Sequence, residues 1–328
     1  MAAIDTLPAE NPQTLSGGQR PPGVVTDRIF RGLALAAGLM VLVVLGLIVY
    51  STTSQSLPWF RAEGLNAIFD DNWVPSAHHF GALGLIYGTL VVALIALIIA
   101  VPISVGIALF VTEVAPGRIR RPIVYTIDLL AAVPSVVFGL WALHVLETPL
   151  ANVYSSVSSA TSGVPILGDV FANPNSSGAS FMTAGIVVAI MITPIITAIT
   201  REVYATCPAS QKEAALALGA TRWEMIRGAV FPHSRSGVTA AVIIGFGRAV
   251  GETIAVALVI GGSQRLTEQL FGPGDTMASV IVNQFGEASG TQRAALMGLG
   301  VVLLALTVII GVIARMILAR SQRRLGVT

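Results

Sequence analysis

Charged residues are scarce in this 328-residue chain, at 11% of the sequence, whereas a typical soluble domain carries about 25%. Hydrophobic residues make up 54% and the mean hydropathy is +0.79, so the charges are too few to cover a surface that faces water. The net charge is only +2, and no basic stretch interleaved with aromatic residues indicates nucleic-acid binding. The composition excludes an ordinary soluble domain and predicts an integral membrane protein.

Cysteine and lysine each occur only once, as Cys207 and Lys212. A single cysteine excludes an intramolecular disulfide. A P-loop requires the pattern G-x-x-x-x-G-K-[ST], and the lone lysine follows glutamine and precedes glutamate, so this chain has no ATP site of that kind. The four histidines show no metal-ligand spacing, and no nucleophile lies in a recognisable pattern with a base. The sequence therefore predicts neither an enzyme nor a metal or cofactor bound by this chain.

Long apolar runs, in contrast, are abundant, and each is near or above the ~20 residues that a helix needs to cross a membrane. The six runs are roughly Gly32–Tyr50, Leu83–Val111, Ile123–Leu146, Phe181–Thr200, Val238–Ile260 and Ala294–Ala314. Pro102, Pro134 and Pro194 lie inside three of them, where a kink is tolerated. The predicted fold class is an all-α integral membrane domain of six transmembrane helices, residues 31–328, after a disordered cytoplasmic tail, residues 1–30.

Basic residues are distributed unevenly between the two sides of these runs. Fifteen of the 19 lysines and arginines flank one side, three flank the other, and Arg248 lies within the fifth run. Because cytoplasmic segments carry the excess of basic residues, both termini are predicted to be cytoplasmic.

Three outside loops follow from this orientation. Trp59, Phe60 and Trp73 in the first loop are predicted to form an aromatic belt at the membrane interface. The second loop, Glu147–Ser180, is rich in Ser, Asn and Gly and is predicted to be loose. In the third loop, Met277–Phe285 is predicted to form a short helix on the membrane surface.

The cytoplasmic loop of about residues 201–236, between the fourth and fifth runs, carries the most information. Ser210 and Glu213 have the S-x-x-E spacing of a capping box, and Thr221 and Glu224 repeat that spacing. Good helix formers lie between the two boxes, and Gly219 suits a helix C-terminus. Two short helices joined at this glycine are predicted. They favour a docking element over an amphipathic linker that lies on the membrane surface.

A sequence motif in this loop resembles that of a known family. Glu213, Ala214 and Ala215, followed by Gly219 and by a run that ends at Pro232, resemble the EAA loop of binding-protein-dependent ABC importer permeases. In that family the loop is a coupling helix that docks on a cytoplasmic ATPase, so the resemblance assigns ATPase coupling to these five residues.

Further segments resemble the PstC-type permeases of phosphate importers within this family. They include Trp73-Val-Pro, the stretch from Ile127 to Gly139, and Gly247-Arg-Ala-Val-Gly-Glu-Thr253, and the resemblance extends from about Asp27 onward. It implies a type I ABC importer permease fold and ATP-driven phosphate import across the bacterial plasma (inner) membrane. The implied partners are a homologous PstA-type permease, two PstB-type ATPases that bind ATP and Mg, and an extracytoplasmic phosphate-binding protein.

Two charges inside the fifth run, Arg248 and Glu252, are expected near the centre of the bilayer. A central charge there costs about 2.5–3.5 kcal/mol, so it needs a partner or a wet cavity. Four residues apart on a helix, the two side chains could neutralise each other. Alternatively, the planar fork of Arg248 could hold an oxyanion on the pathway, with Glu252 holding the arginine when substrate is absent. The pathway interpretation is favoured because intramembrane ionisable residues usually serve function.

Other candidate pathway residues are weaker. Asp128 could be a second pathway residue or an acid that reaches interfacial water. Thr253, Ser135 and Thr193 could donate hydrogen bonds to phosphate, or could bond to carbonyl groups of their own helices. Local chemistry does not choose between phosphate and another oxyanion such as sulfate or molybdate. An ion-driven secondary transporter and a membrane protein that signals phosphate status are the alternatives from other classes.

Overall fold

The computed structural model describes residues 24–323, which form a helical protein with one small hairpin. Its helices are α1 Val24–Glu63, α2 Leu83–Leu109, α3 Gly117–Ala131, α4 Ser135–Trp141, α5 Glu147–Thr161, α6 Leu167–Val170, α7 Phe181–Ala205, α8 Ala209–Ala217, α9 Arg222–Met225, α10 Phe231–Val250, α11 Ile254–Val259, α12 Met277–Gln284 and α13 Gly290–Arg323. Shorter 3-10 or π-helical turns lie at Leu65–Ile68, Pro75–Ala77, Phe110–Val114, Ala142–Leu146 and Ile226–Val230. Strands β1 Trp73–Val74 and β2 His79–Phe80 pair antiparallel.

Within the described residues, five helical stretches are long and apolar enough to cross a membrane. They are Thr26–Glu63, Leu83–Val114, Ser135–Thr161, Phe181–Ala205 and Gly290–Met316. The helical membrane fold is confirmed, but the predicted number of six transmembrane helices is not exact. The fifth predicted run is divided, because α10 ends at Val250 and α11 begins only at Ile254. Gly251 lies at the interruption with φ −90° and ψ 1°, and glycine is a poor helix former.

The third predicted run is also divided, and its boundaries move. α3 ends at Ala131, and a new helical stretch runs from Ser135 to Thr161, so Pro134 separates two helices instead of kinking one. Proline lacks an N–H and disfavours the helical conformation of the residue before it. Pro102 and Pro194, in contrast, lie inside continuous helices.

The described chain comprises two units, one within residues 24–51 and the other covering residues 52–323. The first unit is the start of α1, whose side chains from Thr26 to Ser51 are all exposed. Since α1 already begins at Val24, the end of the tail predicted to be disordered is helical. The remainder of that predicted tail, residues 1–23, lies outside the described residues, as do residues 324–328.

The core of the second unit lies where α7 packs between α2 and α10. Small residues allow the close approach: a Cβ at Gly185 would overlap the side chain of Ile95, and a Cβ at Gly245 would overlap that of Ile196. Close packing through small residues is how helices associate where lipid removes the hydrophobic driving force. This core fixes the positions of the two interrupted helices that pack on it.

Two of the three residues of the predicted interfacial belt, Trp59 and Trp73, are buried, and Phe60 is half-buried. Trp59 is fully buried and its indole N–H donates to the carbonyl oxygen of Phe80 at 3.2 Å. Trp73 is 3% exposed, and its indole N–H donates to the side-chain oxygen of Gln284 at 3.1 Å. Buried indoles need such partners, and here tertiary contacts supply them.

The second and third loops that were predicted to lie outside contain more helix than predicted. The second contains α5 and α6, so it is not uniformly loose. The third contains the predicted short helix, α12, but the first turn is buried against α13 and α11 instead of lying on the surface. Thr276 and Ser279 cap its N-terminus reciprocally.

Asp275 precedes α12 and is 4% exposed. Its carboxylate accepts hydrogen bonds from the Thr276 N–H at 3.1 Å and from the Ser279 hydroxyl. Burial nevertheless raises the pKa of Asp275 from 3.8 to about 6. Because the folded-state pKa lies above the unfolded value, the stability that the protonated form contributes is complete below pH 3.8 and is lost as the pH rises through about 6.

We therefore expect Asp275→Asn to flatten the dependence of the apparent Tm on pH. The asparagine oxygen can accept the same hydrogen bonds without acquiring a charge. Thermal unfolding of the purified protein in detergent between about pH 4 and pH 7 measures this, with the exposed Asp169→Asn as the matched control. An unchanged pH slope in Asp275→Asn would show that other groups govern it.

Candidate translocation site and coupling loop

The two interrupted helices contact each other directly after their interruptions. A Cβ at Gly139 in α4 would lie 2.9 Å from the Cα of Ala255 and 2.8 Å from Cδ1 of Leu258 in α11. Ser135 is the first residue of α4, and Thr253 directly precedes α11. Both lie within about 6 Å of this contact along their helix axes, at 1.5 Å per residue. The fold therefore brings two predicted pathway residues into one region.

Arg248 lies in α10, whereas Glu252 lies within the interruption between α10 and α11. Arg248 is exposed in the last turn of α10, where the helix dipole favours a cation. Glu252 follows Gly251 and is 9% exposed. Within residues 24–323, neither side chain forms an ion pair or a hydrogen bond. The neutralising pair is absent because side chains four residues apart meet only on a continuous helix.

An unneutralised guanidinium in this position can bind an anion. Arginine presents five N–H donors in a planar fork that matches the oxygens of an oxyanion. A cation facing hydrocarbon would cost about 2.5–3.5 kcal/mol, so the exposed face of α10 at Arg248 suits a wet cavity or a protein partner better than lipid.

The three hydroxyl groups predicted as possible phosphate donors differ in the hydrogen bonds that they make. Thr253 Oγ1 donates to the carbonyl oxygen of Gly251 at 3.1 Å, across the interruption. Thr193 Oγ1 donates to the Ala189 carbonyl oxygen of its own helix at 2.7 Å, which supports the local alternative for that residue. The Ser135 side chain is half-buried, and its hydroxyl makes no hydrogen bond to another described residue.

Asp128 has a partner outside the interrupted region. Its Oδ1 lies 3.9 Å from Nη1 of Arg201, which links α3 to the end of α7. Arg201 also pairs with Glu202 at 3.0 Å. This gives Asp128 a contact between helices, and the structure does not bring it to the Arg248 region by any contact.

The loop after α7 forms the two predicted helices, α8 and α9. The predicted box at Ser210 is wrong: Ser210 lies inside the first turn of α8, which follows Pro208 and has no side-chain cap. The box at Thr221 and Glu224 is confirmed in both directions. Hydrogen bonds from the backbone N–H and the hydroxyl of Thr221 lower the pKa of Glu224.

Gly219 ends α8 as predicted. Its φ is +85°, a conformation that residues with a Cβ adopt only with strain. The Ala220 N–H donates to the Ala215 carbonyl at 3.2 Å, and the Gly219 N–H donates to the Leu216 carbonyl at 3.0 Å. These two bonds form a Schellman motif, which fixes the angle between α8 and α9.

The inner face of this loop is anchored to the transmembrane helices. Lys212 Nζ lies 2.5 Å from Oε1 of Glu113, at the end of the second helical stretch, and the Glu113 side chain is 8% exposed. Met225 and Ile226 are buried in a cluster with Tyr204 of α7. The loop is therefore coupled mechanically to two membrane helices.

The outer face of the loop is apolar and exposed. Leu218 is 89% exposed, Trp223 is 59% exposed and Leu216 is 44% exposed. Glu213 and Ala214 are exposed on the same loop, whereas Ala215 is half-buried against the inner cluster. Pro232, also half-buried, lies in the first turn of α10, directly after the π-helical turn Ile226–Val230.

Glu147 is a buried ionisable residue that the sequence analysis missed. It is 6% exposed, and its Oε1 has no hydrogen-bond partner among the described residues. Gly178, at φ +89°, abuts the Glu147 carbonyl and leaves no room for a Cβ. Glu147 is the only acidic residue of Ser135–Thr161, a signal that was visible, but the run was predicted to end before it.

Known proteins of similar sequence identify the family of this chain. The family model described as binding-protein-dependent transport system inner membrane component matches residues 100–327. A phosphate transport system permease protein PstC from Xylella fastidiosa (strain 9a5c) is 42% identical over 311 residues, which cover 94% of this chain and 96% of the relative. PstC of Mesorhizobium japonicum is 40% identical over 304 residues, 92% of this chain and 93% of the relative. PstC 2 of Mycobacterium tuberculosis is 38% identical over 320 residues, 95% and 97% respectively.

Solved structures show the same fold at low sequence identity. A chain of a bacterial alginate ABC transporter, in complex with an alginate-bound periplasmic protein, aligns with a TM-score of 0.60 at 16% identity, over 92% of this chain and 98% of that one. A chain of the MetNI methionine ABC transporter, in an inward-facing conformation, aligns with a TM-score of 0.54 at 17% identity, over 73% and 94%. This chain belongs to the family of binding-protein-dependent transport system inner membrane components.

Proposed function

We propose that this chain is the permease subunit through which phosphate crosses the bacterial plasma membrane, forming half of the pathway of an ATP-driven importer. The observation that carries the substrate assignment is Arg248, an exposed guanidinium without an ion-pair partner in the described residues. Its bidentate donors suit a tetrahedral oxyanion. PstC relatives at about 40% identity over most of their length support phosphate among the oxyanions.

In this proposal the second half of the pathway comes from a homologous PstA-type permease, and the energy comes from two PstB-type ATPases that bind ATP and Mg. An extracytoplasmic phosphate-binding protein delivers the substrate, and both termini of this chain are cytoplasmic. The chain has no P-loop of its own, which is why hydrolysis must occur on a partner.

The loop that contains α8 and α9, called the coupling loop here, is the proposed point at which the ATPase drives the permease. Its exposed apolar face, with Leu218 at the tip, is the surface for the ATPase. Its inner face holds α2 through the Lys212–Glu113 ion pair and α7 through the cluster at Tyr204. A displacement of α8 would therefore move both helices, and α10 packs directly on α7. The interruption beside Arg248, residues 251–253, belongs to neither α10 nor α11 and is the proposed point of rearrangement.

Uptake of radiolabelled phosphate tests this function. Cells lacking the chain and any redundant phosphate system are compared with cells in which the chain is restored, with sulfate or molybdate added as competitors. We expect restoration to recover phosphate uptake, and uptake to resist both competitors. Unchanged phosphate uptake would contradict phosphate as the substrate, and competition by sulfate or molybdate would favour a different oxyanion in the same architecture.

A further inference from the structure

A cationic recess lies at the start of α3, apart from the pathway and the coupling loop. It has a volume of about 1010 Å³, and Arg118, Arg121 and Tyr125 line it. Arg120 is exposed in the same turn. Within residues 24–323, none of the three arginines forms an ion pair, and the first turn of α3 contains no acidic residue. Three positive charges are thus concentrated on one short segment without compensation.

An apolar groove continues from this recess between α2 and α3. Pro122 lines both, so the two cavities adjoin. The groove has a volume of about 480 Å³, and Gly106, Ile107, Phe110, Ile123 and Ile127 contribute most of its walls. A Cβ at Gly106 would meet no atom within 4 Å, so the groove is open at this glycine.

The depth of these cavities matches the layers of a bilayer. The second membrane-spanning stretch ends at Val114, and the arginines begin four residues later, at the level of the lipid headgroups. Gly106 lies eight residues before Val114, or about 12 Å deeper along a helix that rises 1.5 Å per residue. The groove therefore reaches the acyl-chain layer of the same leaflet as the cationic recess.

We propose that the recess and the groove together bind one anionic phospholipid. The phosphate diester lies against Arg118 and Arg121, and one acyl chain lies in the groove along Gly106 and Phe110. The ligand must be both anionic and apolar, because the cavity is cationic at one end and apolar at the other. An apolar helix of a partner permease would fill the groove but would offer no anion to the arginines, whereas an anionic phospholipid supplies both groups.

Native mass spectrometry of the intact transport complex tests the lipid site. The complex is purified with its partner subunits, and 1-palmitoyl-2-oleoyl phosphatidylglycerol is compared with the phosphatidylcholine of the same chains. We expect the wild type to retain phosphatidylglycerol preferentially. Arg118→Gln/Arg121→Gln should lower its retention roughly tenfold or more, whereas Arg118→Lys/Arg121→Lys should retain most of it. Arg315→Gln, at another exposed arginine beyond the last apolar run, is the matched control.

A groove variant separates the lipid from a protein occupant. Gly106→Leu fills the groove while leaving every arginine in place, so it should weaken retention of the long-chain phosphatidylglycerol but not of the dihexanoyl form. Equal retention of phosphatidylglycerol by the wild type and the double Gln variant would overturn the proposal. So would loss of the partner permease from Gly106→Leu with lipid retention unchanged, because a protein helix would then occupy the groove.

Discussion

Arg248→Gln is expected to reduce phosphate uptake to the level of cells that lack the chain, while the transport complex still assembles. Glutamine keeps much of the length and polarity of the side chain but removes the charge and the fork of donors that match an oxyanion. Because no side chain among the described residues neutralises Arg248, its loss leaves no buried partner charge uncompensated. A transport defect without a folding defect is the expected result. Uptake of radiolabelled phosphate, alongside copurification of the ATPase, measures both.

The matched control for this substitution is Arg235→Gln. Arg235 is also an exposed arginine of α10, but it lies thirteen residues earlier, near the start of the helix. We expect it to retain substantial uptake. Normal uptake by a stably assembled Arg248→Gln complex would contradict a role for Arg248 on the pathway. It would leave the family assignment intact, since that rests on the sequence match and on the fold.

Leu218→Asp is expected to abolish copurification of the ATPase and, with it, ATP-driven uptake. Leu218 is 89% exposed at the tip of the coupling loop, so the substitution leaves the packing within this chain unchanged. At an interface, it would remove the burial of a leucine, typically worth about 1.5–3 kcal/mol, and would introduce a carboxylate that needs a partner. Affinity purification of the tagged permease, followed by quantification of the bound ATPase, measures the effect.

The matched control is Leu167→Asp, in α6 on the predicted outer side, where the leucine is 46% exposed. Its copurification with the ATPase should match that of the wild type. Full ATPase binding by Leu218→Asp would show that docking does not use the tip of the loop. The reciprocal cap at Thr221 and the ion pair at Lys212 would then have only a structural role.

Local patterns in the sequence were sufficient to predict several features of the structure. Apolar runs predicted three of the crossings to within a few residues at one end or both, since hydrocarbon requires a continuous helix. Thr221, Glu224 and Gly219 were assigned correctly because caps depend on residues only three to five positions apart. The exposure of Leu218 could not be predicted in this way, because it depends on which face of the loop packs against the transmembrane helices.

The interruptions of the helices were less predictable, although they determine the candidate site. Pro134 ends one helix, whereas Pro102 and Pro194 lie within continuous ones, and hydropathy does not distinguish them. The difference lies in whether neighbouring elements favour the interruption, as α11 does where it packs against α4 beyond Pro134. The pairing of Arg248 with Glu252, the less favoured of the two alternatives for these charges, is absent for the same reason, because it required an uninterrupted helix.

By itself, the sequence determined that this chain lies in a membrane, that it has no P-loop for ATP, and that the loop of about residues 201–236 contains two short helices joined at Gly219. Those properties follow from composition and from spacings of a few residues, which any fold of the chain must respect. The tertiary structure alone decided that Arg248 has no ion-pair partner among residues 24–323, that Trp59 and Trp73 are core residues, and that Lys212 pairs with Glu113 and so holds the loop against α2. Each of these depends on contacts between segments far apart in the chain, whose geometry is set by helix packing and not by local sequence.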